Sequence, residues 1–159
     1  MGFQNTVNQY QAPAVEGDFA SANPRASVVT GEGAFVAAAA GVTVGRFAWA
    51  AADGTVSNVG SGVPTGFVHR DMQALITNWL GAQSMVIPQG QPVTLHRAGD
   101  FWARTATAAT VGQKVFASNT DGSVKTGAAG ATITGFTETP FFVDSAANAG
   151  ELVKISTWG

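Results

Sequence analysis

The sequence predicts an all-β chain: a jelly-roll-like sandwich or barrel built from two similar halves, with at most one short helix and an extended N-terminal arm. Three observations carry this expectation. Short apolar runs recur at roughly 8–12 residue spacing, each bounded by Gly, as in sandwiches and barrels. Asp-Gly pairs at 53–54 and 121–122 mark tight hairpins, because such turns demand the positive φ that Gly and Asp tolerate. The chain also nearly repeats itself.

The repeat is one of turns and apolar positions. Thr43-Val44-Gly45-Arg46-Phe47 leads through Trp49 to Asp53-Gly54-Thr55-Val56, and Thr110-Val111-Gly112-Gln113-Lys114 leads through Phe116 to Asp121-Gly122-Ser123-Val124. A Gly-Phe pair follows each copy, Gly66-Phe67 and Gly135-Phe136. The offset between copies is 67 residues at Gly45/Gly112, 68 at Asp53/Asp121 and 69 at Gly66/Gly135. No reactive side chain is repeated, which is the pattern of a duplicated scaffold. Both copies also end alike, in Gly90-Gln91-Pro92-Val93 and Gly150-Glu151-Leu152-Val153, so two half-barrels closing on one core is the simplest architecture.

Taken in order, residues 1–33 form an arm. Polar Gln and Asn alternate with isolated Phe3, Val7 and Tyr10, while Pro13 and Pro24 forbid regular helix. Ordering such a segment costs about 1–2 kcal/mol per residue of backbone, which its own burial does not offset, so it needs a partner or the body to lie on. Residues 34–159 form a β-rich body with halves at about 41–104 and 108–158. Its strands are expected at 34–39, 46–51, 55–58, 65–69, 93–97, 101–105, 114–117, 131–137 and 152–157. Between the copies, Met72, Leu75, Ile76, Trp79 and Leu80 follow helical spacing, with Asp71 to cap and Gly81 to stop one short helix.

Composition narrows the function. The 159 residues are 45% hydrophobic but only 11% charged, with net charge −2; ordinary soluble domains carry roughly 25% charged residues. A surface so poor in charge suits a molecule covered by neighbours. Eight dispersed basic residues give no footprint for nucleic acid. The longest apolar run, 34–44, is too short for a membrane span. Without cysteine, neither disulfides nor thiolate metal sites are available.

Catalytic patterns fail one by one. His69-Arg70-Asp71 imitates a kinase catalytic loop, but Ile76 stands where that loop needs Asn. Met1-Gly2 with Thr6 fits a loose myristoylation pattern. His69 and His96 lack the close spacing of a preformed zinc site, and no Gly-x-Ser-x-Gly elbow occurs. Gly60-Ser61-Gly62 precedes Val63-Pro64 and opens no phosphate-binding helix. Gly17-Asp18-Phe19-Ala20 echoes Gly99-Asp100-Phe101-Trp102-Ala103: each reads as a turn feeding an aromatic inward, and Phe19 reads equally as an anchor for a neighbour. Core positions are expected for Phe101, Trp102 and Trp49, and a clasp or partner contact for Trp158.

The ordered set Gly17-Asp18-Phe19-Ala20-Ser21, Asn23-Pro24, Val44-Gly45-Arg46-Phe47-Ala48-Trp49, Gly66-Phe67-Val68-His69-Arg70 and Ala98-Gly99-Asp100-Phe101-Trp102 resembles the structural cement, or capsid decoration, proteins of tailed bacteriophages over roughly residues 12–158. The resemblance implies a jelly-roll-like structural protein, made in the host cytoplasm, that binds the outer surface of a capsid. There it would grip neighbouring subunits of an HK97-like major capsid protein and stabilise the head. It implies a homo-oligomer, a dimer in preference to a trimer. It also implies no enzymatic activity, catalytic residue, metal or cofactor, and no nucleic-acid or membrane partner. Contact positions come from the residues themselves: Phe3, Tyr10, Phe19 and Trp158. Two other classes compete: a glycan- or receptor-binding β-sandwich displaying tryptophans on one face, and a hydrolase using His69 or His96.

Overall fold

The computed structural model describes residues 14–71 and 85–158. Phe3, Tyr10 and the helix expected after Asp71 lie outside them. The described residues are all-β, with thirteen strands and no helix. In order they are β1 (Ala26–Ser27), β2 (Val36–Ala37), β3 (Val42–Thr43), β4 (Phe47–Ala50), β5 (Thr55–Ser57), β6 (Gly66–Val68), β7 (Val86–Ile87), β8 (Leu95–Ala98), β9 (Asp100–Arg104), β10 (Lys114–Ser118), β11 (Val124–Gly127), β12 (Phe136–Val143) and β13 (Leu152–Ser156).

Two open sheets result, packed as a sandwich. The six-stranded sheet has the order β1-β8-β6-β4-β5-β2, the five-stranded sheet β11-β10-β12-β13-β9, and β3 pairs with β7 alone. Duplication is visible in that order. β8-β6-β4-β5 in one sheet and β13-β12-β10-β11 in the other follow one plan. Both hairpins turn on a left-handed glycine, Gly54 at φ 82° and Gly122 at φ 68°. In each turn the Asp Oδ1 accepts from the backbone N–H and hydroxyl two residues on, Thr55 in one and Ser123 in the other. The leading segments match as well. Ala38 N–H donates to Val56 O, and Ala106 N–H to Val124 O, each at 2.9 Å.

The change of offset has a structural cause. Ala50 pairs with Val56 and Ala117 with Val124, so the second hairpin loop is one residue longer. The Gly-Phe pairs do not correspond, however. Gly66 opens β6 against the His96 backbone, whereas Gly135, at φ 78°, lies in the turn before β12. By register, Phe67 opposite His96 matches Phe142 opposite Ser156. The strand expected at 131–137 therefore begins later and runs on to Val143. It does so through exposed Pro140, at a bulge where Lys114 pairs Phe142 and Phe116 pairs Glu138.

Among the described residues the interior holds two apolar clusters, a departure from the single core expected. One is aliphatic and belongs to the first half: Val42, Val56, Val68, Ile87, Val93 and Leu95. The second combines Val115, Val124, Val143, Val153 and Ile155 with Phe47, Phe67, Phe101 and Phe141. Alternation explains this division. On β6, Val68 enters the first cluster and Phe67 the second, so the sheet is buried on both faces. Phe47–Phe67 and Phe47–Phe141 meet edge to face at 5.3 and 5.5 Å, joining the two sheets. Such pairs contribute about 0.5–1.5 kcal/mol each beyond their buried area.

Candidate functional site

Residues 17–28 form a strap that belongs to both sheets. Gly17 N–H donates to Trp102 O (2.7 Å), Trp102 N–H to Asp18 O, and Ala20 N–H to Asp100 O, which adds a short strand beside β9. The two echoing motifs of the sequence thus lie against each other, with Phe19 bridged antiparallel to Phe101. Only Gly fits at 17: φ is 91°, and a Cβ would stand 3.0 Å from Arg70 N. Further on, the Ser21 hydroxyl and Asn23 amide donate to Asp100 Oδ2. Burial opposes ionisation of Asp100, but hydrogen bonds from Ser156, Ser21 and Asn23 outweigh it and hold the carboxyl below its usual range. The strap then becomes β1 and pairs with β8.

Under the strap sit both histidines. His96 Nε2 and His69 Nδ1 are 3.0 Å apart, although the sequence spacing had given no reason to join them. Phe19 stacks on His69 at 4.7 Å and 24°, and the Arg25 guanidinium covers the Phe19 ring at 3.9 Å. His96 is 5% exposed. Burial first, then His69 and Arg25, push its pKa down to about 4. Burial also lowers that of His69, with Asp71 and Asp18 opposing and Arg25 assisting. Both rings are neutral at pH 7. His96 Nδ1 is buried without a partner, so it costs least as a bare acceptor, which makes His96 Nε2–H the donor. Covered by Phe19, this pair has the geometry of a packing element rather than of an exposed base. Among the described residues no group of three His, Cys, Asp or Glu side chains could hold a metal.

Two surface features stand outside the strap. A groove of about 400 Å3 is lined by Phe47, Val63, Pro64, Thr65, Arg97 and Pro140 and offers no nucleophile paired with a base. The outer face of the five-stranded sheet carries every lysine of the chain. Lys114 lies 3.5 Å over the Phe142 ring, Lys125 4.3 Å over Phe136 and Lys154 5.1 Å over Trp102. Trp102 is therefore an outer-face residue, not the core residue expected, because β9 alternates and gives its inward positions to Phe101 and Ala103. Sequence reasoning missed this face; its signal was Lys alternating with core Val and Ile in Lys114-Val115 and Val153-Lys154-Ile155.

Of the expected contact residues, Phe19 is half-buried within the molecule's own aromatic cluster. Trp158 is 52% exposed, with its Nε1–H donating to Pro24 O at 2.9 Å. Among the other tryptophans, Trp49 has Gly60 against its indole and donates to Gly62 O. The rings of Trp49 and Trp102 are thus already occupied, unlike a free glycan-stacking face.

A family model described as XM1 gp53 minor capsid protein matches residues 3–157. A solved chain from the capsid of Myoviridae phage XM1 has a similar fold: the TM-score is 0.66 at 22% identity, over 99% of this chain and 98% of that one. No curated protein matches.

Proposed function

The chain belongs to the XM1 gp53 minor capsid protein family, and from that premise we propose that it is a phage capsid component that binds the outside of the assembled shell and cements neighbouring major capsid protein subunits. The observation that carries this is the family match across nearly the whole chain. The physical character of the molecule supports it. Strap, aromatic seam and duplicated turns make a rigid block, and the titratable groups inside are spent on packing. A cement subunit needs that rigidity, since its affinity sums modest contacts across linked sites.

The finer parts of the reading are an HK97-like shell, a homo-oligomer with dimer preferred, placement on the virion exterior after synthesis in the host cytoplasm, and a non-enzymatic role. Phe3, Tyr10 and Trp158 are the proposed anchors, and Phe19 holds the strap against His69 and Phe101. Co-sedimentation with purified shells lacking the protein tests the reading. The intact protein is expected to pellet with shells and to raise their resistance to heat, and removing residues 2–13 should weaken attachment. Intact protein that stays in the supernatant at every shell concentration overturns it.

A further inference from the structure

Strand parity sorts the five-stranded sheet into two faces. Val115, Ala117, Val124, Val153, Ile155 and Ala103 point into the core. Their neighbours Lys114, Lys125, Lys154 and Trp102 therefore point outward. Across the ladder Lys154 stands opposite Trp102, Lys114 opposite Phe142 and Lys125 opposite Phe116. Phe116 is itself buried, so the rings at this surface are Phe142, Phe136 and Trp102, each beneath one lysine, in a chain whose net charge is −2.

None of these lysines is ion-paired among the described residues, where the ion pairs are Arg46–Asp121, Arg70–Asp18 and Arg104–Glu16. Of the carboxylates nearby, exposed Asp144, whose N–H donates to Lys154 O, makes no ion pair with a lysine, and three others are committed elsewhere. Glu138 accepts from Gly130 N–H at 2.7 Å, Glu151 accepts from Asn148, and Glu16 takes Arg104. A ring face holds an ammonium in place without neutralising it. Three positive charges are thereby held over half-buried rings, with no carboxylate in ion-pair contact among the described residues.

We propose that this face is the docking surface for an acidic patch on a capsid shell subunit, whose carboxylates meet Lys114, Lys125 and Lys154. The inference rests on the reading of the chain as a capsid-binding protein and names the face and chemistry of that contact. Charge complementarity selects the partner: rings already under an ammonium cannot also stack on a sugar, whereas each ammonium keeps N–H donors for a carboxylate. Because the lysines are held before docking, little side-chain freedom is lost on binding.

The test compares intact protein with the triple variant K114Q/K125Q/K154Q, which removes the charges and keeps two methylenes of each stem, for binding to purified shells at rising salt. The expected result is at least about a tenfold loss of affinity in the variant, and release of the intact protein between low and high salt. Equal binding by the variant, or binding of the intact protein that salt does not change, overturns the inference. Tighter binding of the intact protein to short single-stranded DNA than to shells also overturns it. Amine-selective labelling of the intact protein guards against a variant that fails to fold: the three lysines should be protected on the shell and reactive when free, and equal labelling counts against the proposal. Intact protein that fails to bind shells at all defeats the parent reading instead.

Discussion

His96 donates to His69 across 3.0 Å beneath the ring of Phe19, so two titratable side chains are kept neutral by the segment that lies over them. His69 must stay unprotonated at Nδ1 for this bond to persist, because a proton there removes the acceptor, while a proton on His96 would place a charge in a buried site.

Acid should therefore loosen the protein before its carboxylates titrate. The folded pKa of His96 is about 4 against 6.5 in an exposed state. The unfolded chain thus binds protons first, and the stability contribution is full above pH 6.5 and lost as pH falls from there toward 4. The shift corresponds to about 3 kcal/mol. The lowered carboxyls Asp53, Asp100, Asp121 and Glu151 lose their contributions further down the scale. Denaturant midpoints between pH 7.5 and 4.5 should fall steeply, and H96Q should flatten the slope. A flat profile in the unaltered protein would contradict the neutral pair.

Removing the Phe19 ring should free the strap without unfolding the body. Phe19 touches His69, His96 and Phe101 and lies under Arg25. Phe-to-Ala changes in full burial cost about 3–5 kcal/mol, so F19A, half-buried, is expected to cost about 2 kcal/mol. Hydrogen exchange should rise at Gly17, Ala20 and Trp102 while Val115 and Ile155 stay protected. Uniform exchange across both sheets would mean that the strap is part of one cooperative unit.

The equivalent glycines of the two hairpins should differ in tolerance. Both have left-handed φ, which costs a substituted Ala about 1–2 kcal/mol. A Cβ on Gly54 would meet only Ala34 O at 3.9 Å, whereas one on Gly122 would fall on the Phe47 backbone, whose N–H donates to Gly122 O. G122A is expected to exceed G54A by about 2 kcal/mol or more in urea unfolding. Similar losses would show that the second hairpin is not wedged against β4.

What the sequence disclosed and what it hid follow from the range of the interactions. Asp53-Gly54 and Asp121-Gly122 were legible because an Asx turn is set by residues two apart. The matching sheet orders follow from that repeat. The strap was hidden, since two copies of Gly-Asp-Phe read as parallel motifs until Phe19 and Phe101 are seen to pair with one another across 82 positions of chain. The histidine pair was hidden for the same reason, with His96 on β8 and His69 just past the end of β6, 27 residues earlier in the chain. The lysine face was hidden because Lys114, Lys125 and Lys154 lie on three separate strands and only strand parity brings them to one side. Pro140 concealed the length of β12, because a proline marks a strand end unless a bulge accommodates it.

Electron cryo-microscopy of the phage particle tests the central claim most directly. The account predicts density for this fold on the outer surface of the shell, each copy touching at least two major capsid subunits, with the lysine-bearing sheet turned toward acidic shell residues. Copies confined to the shell interior, or resting on one subunit without bridging to another, would contradict it.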